Sequence, residues 1–405
     1  MNRFFADNDR VRRLIKLSLG IINKKFGKNE ILKFSSDIDE VNPMEAITII
    51  ESVINASSGM DEKKSNISKI LNVLHRGLSG HKWELQSNNF FLKDMRSENS
   101  YLKEELSGLK KYMREITGEI KHPDLKKKEM DFLCDKILKL KDMENHYLKK
   151  ENIFFPYLEK KGGHLNCIPV MWSIHDDIRI AFKIIKGIRV KGEKESGELF
   201  SVIGELFFSM YAMIFREELI LYPAAIEVFE EYEWENMYNE SFDIGFSFII
   251  PPLKRKMRKV TDRGTDESEL IDLGTGKMDI HSLKLMLNHL PVDITFVDKN
   301  DRVVYFSSPE GRIFTRSKSI IGREVKNCHP PKSVKSVEKI LKSFKNGSST
   351  KESFRINYDN KYILIEYFAI RDSDGNYNGT LEVSMDITEI NKLKGEKRLL
   401  ADADS

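Results

Sequence analysis

The stretch from Leu290 to Thr388 constrains the fold most, because its apolar residues alternate in short runs separated by turn chemistry. Asp293-Ile-Thr-Phe-Val-Asp298 and Arg302-Val-Val-Tyr-Phe306, separated by Lys299-Asn-Asp301, read as a β-hairpin. A helix is predicted over Ser333–Phe344, where Val334, Val337, Ile340, Leu341 and Phe344 recur at three- and four-residue spacing. Three strands follow over Glu352–Tyr358, Tyr362–Arg371 and Tyr377–Asp386, with Asp359-Asn360 and Asp372-Ser-Asp-Gly375 as turns. The order is two strands, a helix, then three strands: an α+β unit of about a hundred residues.

Upstream the pattern is helical. Residues 1–80 hold apolar stripes at Val11–Ile22, after Asn42-Pro43, and from Glu62, which read as a small helical cap. Longer helices are predicted over Trp83–Glu119, Leu125–Phe155, Ile168–Gly187 and Leu199–Phe229, with Lys121-His-Pro-Asp124 breaking the first from the second. Four such helices with short connections imply an up-down four-helix bundle. The expected organisation is multidomain: an all-α part made of cap (1–80) and bundle (81–250), a linker (251–280) and the α+β domain (281–395). Ile280–Leu290 reads as a helix leading into that domain.

Of 405 residues 32% are charged, yet the formal net charge is only +3, which gives no case for nucleic acid as a partner. The basic run Lys254-Arg-Lys-Met-Arg-Lys259 reads as solvated linker. Three cysteines in so long a chain argue for a reducing compartment. No uninterrupted apolar run reaches bilayer-spanning length, so a cytoplasmic protein with no membrane partner is expected. Gly274-Thr-Gly276-Lys277 lacks the spacing of a phosphate loop, and no nucleophile elbow or nucleophile set is recognisable.

Leu290-Pro-Val-Asp-Ile-Thr-Phe-Val-Asp298, Ile321-Gly-Arg323, Cys328-His-Pro-Pro331, Gly379-Thr-Leu-Glu-Val383 and Asp386-Ile-Thr388 resemble a PAS domain of the kind found at the C-terminus of hemerythrin-like proteins. His146-Tyr-Leu-Lys-Lys-Glu-Asn-Ile-Phe-Phe-Pro-Tyr-Leu-Glu159, Met171-Trp-Ser-Ile-His-Asp-Asp-Ile-Arg179 and Phe215-Arg-Glu-Glu-Leu-Ile-Leu-Tyr-Pro223 resemble the second, third and fourth helices of the hemerythrin-like (HHE cation-binding) family. The resemblance implies iron, held in pairs by His and carboxylate side chains. His146, Glu151, His175, Glu217 and Glu218 are the candidate metal ligands, with His81 upstream. That set is incomplete for a di-iron centre: Glu151 lies five residues after His146, about 140° around an ideal helix. Met213 stands where the fourth helix would carry a His, and Phe90-Phe91 where the first would.

Cys328 and His329 are candidate ligands in the PAS domain, with haem as the minor cofactor alternative to iron. Phe296, Val304, Tyr305, Phe306, Ile340, Phe354, Ile363 and Ile365 are expected to line its core. The function these features imply is a redox, gas or small-ligand sensor more than a catalyst, which signals to an unidentified protein partner or a second copy in a homodimer. A di-iron enzyme handling oxygen, nitric oxide or peroxide, or donating iron for repair, is one alternative. A metal-free interaction scaffold is another.

Overall fold

The computed structural model describes residues 5–117, 127–162, 165–191, 196–250 and 270–395. The break at Lys121–Asp124 and the basic run Lys254–Lys259 lie outside the described residues. The chain divides into two compact units: residues 1–257 together with Arg316–Ser319, and the remainder.

The first unit is helical. Its opening part has five helices where three are predicted: α1 (Asp9–Ile22), α2 (Lys28–Lys33), α3 (Ser35–Asp39), α4 (Pro43–Asn55) and α5 (Met60–Gly80). Asn8 caps α1 by accepting from the Val11 N–H, and Asn42 with Glu45 forms a capping box on α4, with Pro43 in its first turn. Glu45 is buried and offset by Arg10, 2.9 Å away. Gly77 lets α5 approach α3, since a Cβ there would overlap the Ile38 carbonyl.

Four long helices follow: α6 (Phe90–Thr117), α7 (residues 127–162), α8 (Cys167–Lys191) and α9 (residues 196–226). The helix predicted from Trp83 begins at Phe90 because the Asn89 side chain caps the Leu92 N–H. A further helix absent from the sequence reading, α10 (Glu231–Ile244), packs Trp234 against Phe91, Phe154 and Phe229. Cap and bundle share one core, which runs from Leu14, Val53 and Leu74 through Met95, Ile137 and Ile178 to Met210. Residues 197–226 are long and apolar enough to cross a membrane by length and composition, although no uninterrupted run suggests it. In this fold they form the fourth bundle helix and bury Arg216 and Glu217.

The second unit opens with a short ribbon, β1 (Ile271–Asp272) and β2 (Lys277–Met278), and helix α11 (Ile280–His289) capped by Asp279. Strands β3 (Asp293–Asp298), β4 (Val303–Phe306), β5 (Lys351–Tyr358), β6 (Lys361–Arg371) and β7 (Tyr377–Asp386), with α12 (Pro331–Lys345), match the predicted order within about two residues. The sheet is antiparallel in the order β4-β3-β7-β6-β5.

The expected core of this unit needs correction. Ile363 and Ile365 are buried, but Val304 and Phe354 are 43% and 41% exposed. The register puts Asp293, Thr295 and Val297 on the buried face of β3, while Ile294 and Phe296 lie on the half-buried one. Polar residues are tolerated inside because Arg312 donates to Thr295 Oγ1 (3.0 Å) and the Ser307 carbonyl (2.5 Å), and lies 3.8 Å from Asp293.

Candidate functional site

Two irregular turns position the centre of the bundle. Lys150–Phe154 in α7 and Glu217–Leu221 in α9 are single π turns. Each precedes a proline, Pro156 or Pro223, which has no N–H to return to the carbonyl four residues earlier. The chain accommodates the missing bond by widening the helix by one residue, a device concentrated at functional sites.

Helix α7 is the hub, and its side chains reach three neighbouring helices in stripes of three- and four-residue spacing. His146 and Lys150 both reach Glu217 on α9: His146 Nε2 lies 2.9 Å from Oε2, and the Lys150 ammonium pairs with Oε1. Tyr147 and Glu151 both reach His175 on α8, the Tyr147 ring stacking at 4.5 Å and Glu151 Oε1 lying 2.7 Å from Nδ1. His146 and Lys149 both reach Glu98 on α6, through Nδ1 (2.7 Å) and Nζ (2.5 Å). Past α10, the Ser247 N–H also donates to Glu98 Oε1. The π turn in α9 brings the Tyr222 hydroxyl to within 2.8 Å of Glu217 Oε2, an i, i+5 contact that an ideal helix would splay by about 140°.

Four of these carboxylates each have their own cation. Glu98 pairs with Lys149, Glu217 with Lys150, Glu151 with Arg179 at 3.0 Å, and Glu218 with Arg96 at 3.0 Å. Burial opposes ionisation of Glu217, but Lys150 and His146 outweigh it and hold the carboxyl well below its usual range. Burial likewise opposes ionisation of Glu98, and His146 and Lys149 overcome it. Burial depresses both lysines below their usual values, with Glu98 and Glu217 pulling them back. Burial, then Lys150 and Arg179, push His175 far down, so its ring is neutral.

Of the sequence-predicted ligands, the structure brings His146, Glu151, His175 and Glu217 into this centre, with Glu218 at its edge. His81 is not brought in: it caps the end of α5, its N–H donating to Gly77 and Leu78. Glu151 meets His175 rather than His146, so the five-residue spacing is not the spacing of a ligand pair. Cys328 packs with Val297, Val303, Ile320, Val325 and Leu341 in the core of the second unit, and its thiol faces the Glu324 carbonyl at 3.8 Å. Sequence reasoning missed Glu98, Lys149, Lys150, Arg179, Asn99 and Tyr222. Ser97-Glu98-Asn99, the Lys-Lys-Glu run and the ends of the Met171–Arg179 and Phe215–Pro223 stretches are their traces in the sequence.

These residues do not fit a pair of iron ions. The oxygens of Glu98 and Glu217 that would bridge metals are taken by ammonium, imidazole, hydroxyl and amide donors. Both ring nitrogens of His146 already face carboxylate oxygens, Glu98 at 2.7 Å and Glu217 at 2.9 Å, so neither is open to a metal in this arrangement. Among the described residues no three His, Cys, Asp or Glu side chains converge as a ligand group. Among the described residues, buried polar atoms at the centre that lack a hydrogen-bond partner include His175 Nε2, Tyr147 Oη and Asn99 Oδ1, with Asp94 Oδ2 near Lys149 and Glu98.

Comparison with known proteins places two domains on the chain. Residues 91–225 match the family profile of the hemerythrin HHE cation binding domain, and residues 283–388 that of a PAS domain. Among solved structures, a C-terminal domain from Streptococcus mutans is 34% identical, covers 32% of this chain and 100% of its own, and has a TM-score of 0.30. A sensory box sensor histidine kinase from Vibrio cholerae is 15% identical over 27% of this chain and 90% of its own, at a TM-score of 0.22. The PAS domain of a protein from Colwellia psychrerythraea is 17% identical over 27% of this chain and 99% of its own, at 0.23. No curated protein matches.

Proposed function

Because the chain carries a hemerythrin HHE domain over 91–225 and a PAS domain over 283–388, the pairing of a sensor or signalling protein, we propose that it is a cytoplasmic small-ligand sensor. In this reading the input acts on the helical unit and a separate protein, or a second copy of the chain, takes the output. The carrying observation is the buried centre itself: four carboxylates and their cations meet where two π turns face each other. Such a centre costs stability relative to an apolar core, and we infer that its widened turns, of a kind frequent at functional sites, can adopt a second packing. A small polar guest that satisfies His175 Nε2 and Tyr147 Oη would favour one packing over the other. Redox or gas sensing through iron is the weaker reading, since the carboxylates are already neutralised by lysine and arginine.

The test is hydrogen exchange in residues 283–388 of the full chain, comparing the native protein with Lys149→Met. Altered protection in the PAS strands supports transmission from the bundle. Identical protection, with exchange altered only around residue 149, sinks it.

A further inference from the structure

A cavity of about 470 Å³ lies between α5, α8 and α9, away from the buried centre. Its floor is Arg216, only 7% exposed. The guanidinium donates from Nη1 to the Ala212 carbonyl (2.9 Å) and from Nη2 to Ser68 Oγ (3.1 Å), both neutral acceptors. Among the described residues no carboxylate pairs with it, whereas Lys149, Lys150 and Arg179 all sit on carboxylates. Burial alone lowers its pKa, to about 10.

An uncompensated buried cation is among the costlier features a core can hold, and it points to an anion that completes it. The carboxylates that line the cavity do not serve: Asp61 and Asp177 are both engaged by Lys64, at 3.2 and 2.7 Å. A second cation, Lys69, stands at the rim, its Nζ 3.4 Å from Asn66 Oδ1. We propose that this cavity binds a small oxyanion, a phosphate or carboxylate group, on Arg216 with Lys69 closing over it. The planar fork of arginine suits two parallel hydrogen bonds to such a group. The volume leaves room for an organic portion, and Phe208, 63% exposed, offers an apolar wall for it. Arg216 is the residue immediately before the π turn that carries Glu217, so an anion there acts on the backbone junction leading to the buried centre.

The experiment is calorimetric titration of the full chain with sodium phosphate and, separately, sodium acetate, at ionic strength held constant with chloride. One saturable site is expected, and the tighter of the two anions tells phosphoryl from carboxylate ligands. Arg216→Gln should weaken binding by about tenfold or more, and Lys69→Ala, at an exposed position, by a few-fold with the circular dichroism unchanged. If Arg216→Gln fails to fold, Lys69→Ala and the cavity-filling Ser209→Trp decide. No saturable binding of either anion, or binding that the folded variants leave intact, overturns the proposal. Binding that leaves exchange in residues 283–388 unchanged supports the site and removes its ligand from the sensor reading.

Discussion

Replacing Lys150 by Met keeps most of the side-chain volume and removes the ammonium, leaving Glu217 buried opposite an apolar tip. Lys150 and Glu217 are 0% and 1% exposed, so solvent cannot take over the lost charge. Two unit charges about 3 Å apart attract by roughly 5 kcal/mol at an effective dielectric of about 20. Desolvation cancels much of that, so the intact pair adds little net stability. Breaking it is another matter, since the uncompensated carboxylate then costs about 3–5 kcal/mol. His146, Tyr222 and Asn99 still donate to Glu217, which places the expected loss for Lys150→Met at the lower end of that range. The assay is urea unfolding of the native protein, both single variants and Lys150→Met/Glu217→Gln, followed by circular dichroism at constant m value. The double variant should recover at least half of the loss, giving a coupling of about 2 kcal/mol or more. Single losses below about 1 kcal/mol that simply add would refute the view that the ammonium is the counter-charge of Glu217.

Acid sensitivity follows from the same pair. The folded Glu217 carboxyl lies below its unfolded value, so the native state binds fewer protons than the unfolded chain. Its contribution is present above about pH 4.3 and is lost as pH falls through that value towards the folded one. Urea midpoints between pH 3 and 7 should therefore fall more steeply in the native protein than in Glu217→Gln. Pro156→Ala restores an N–H that competes with the Ser317 and Ser319 hydroxyls, 2.5 and 2.6 Å away, for the Asn152 carbonyl, so the π turn should tighten and swing Glu151 by about 100°. A change in the His175 ring nitrogen resonances checks this, and unchanged resonances contradict it. Gly77→Ala forces α5 away from Ile38 and should cost the helical unit about 2–3 kcal/mol in denaturant unfolding, with the PAS transition unmoved.

Period and punctuation made most elements legible: the strands of the second unit and the long bundle helices fall where the apolar pattern and turn residues put them. α10 escaped because Glu231–Ile244 intersperses five acidic residues among its apolar ones, so its Trp234 and Tyr238 stripe was faint. The centre was half legible. His146, His175, Glu151 and Glu217 stand out as residue types, but their pairing depends on two π turns that ideal-helix angles cannot represent. Pro156 and Pro223 were the available signal, each removing the donor that would have kept the helix regular. Lys149 and Lys150 were passed over because lysines are almost never fully buried unless paired, and their partners Glu98 and Glu217 lie on other helices. In the PAS unit, alternation identified β3 correctly, yet the face it buries is the polar one, since Arg312 comes from a loop that strand periodicity does not include.

We propose that lysine and arginine, not metal, neutralise the carboxylates at the bundle centre. The most direct measurement is the iron, zinc and manganese content of the full chain purified anaerobically, together with its optical spectrum. A folded, colourless protein with far less than one metal per chain is expected, unchanged after incubation with ferrous iron. About two irons per chain, lowered by His146→Ala or His175→Ala and accompanied by visible absorption on exposure to air, would contradict it.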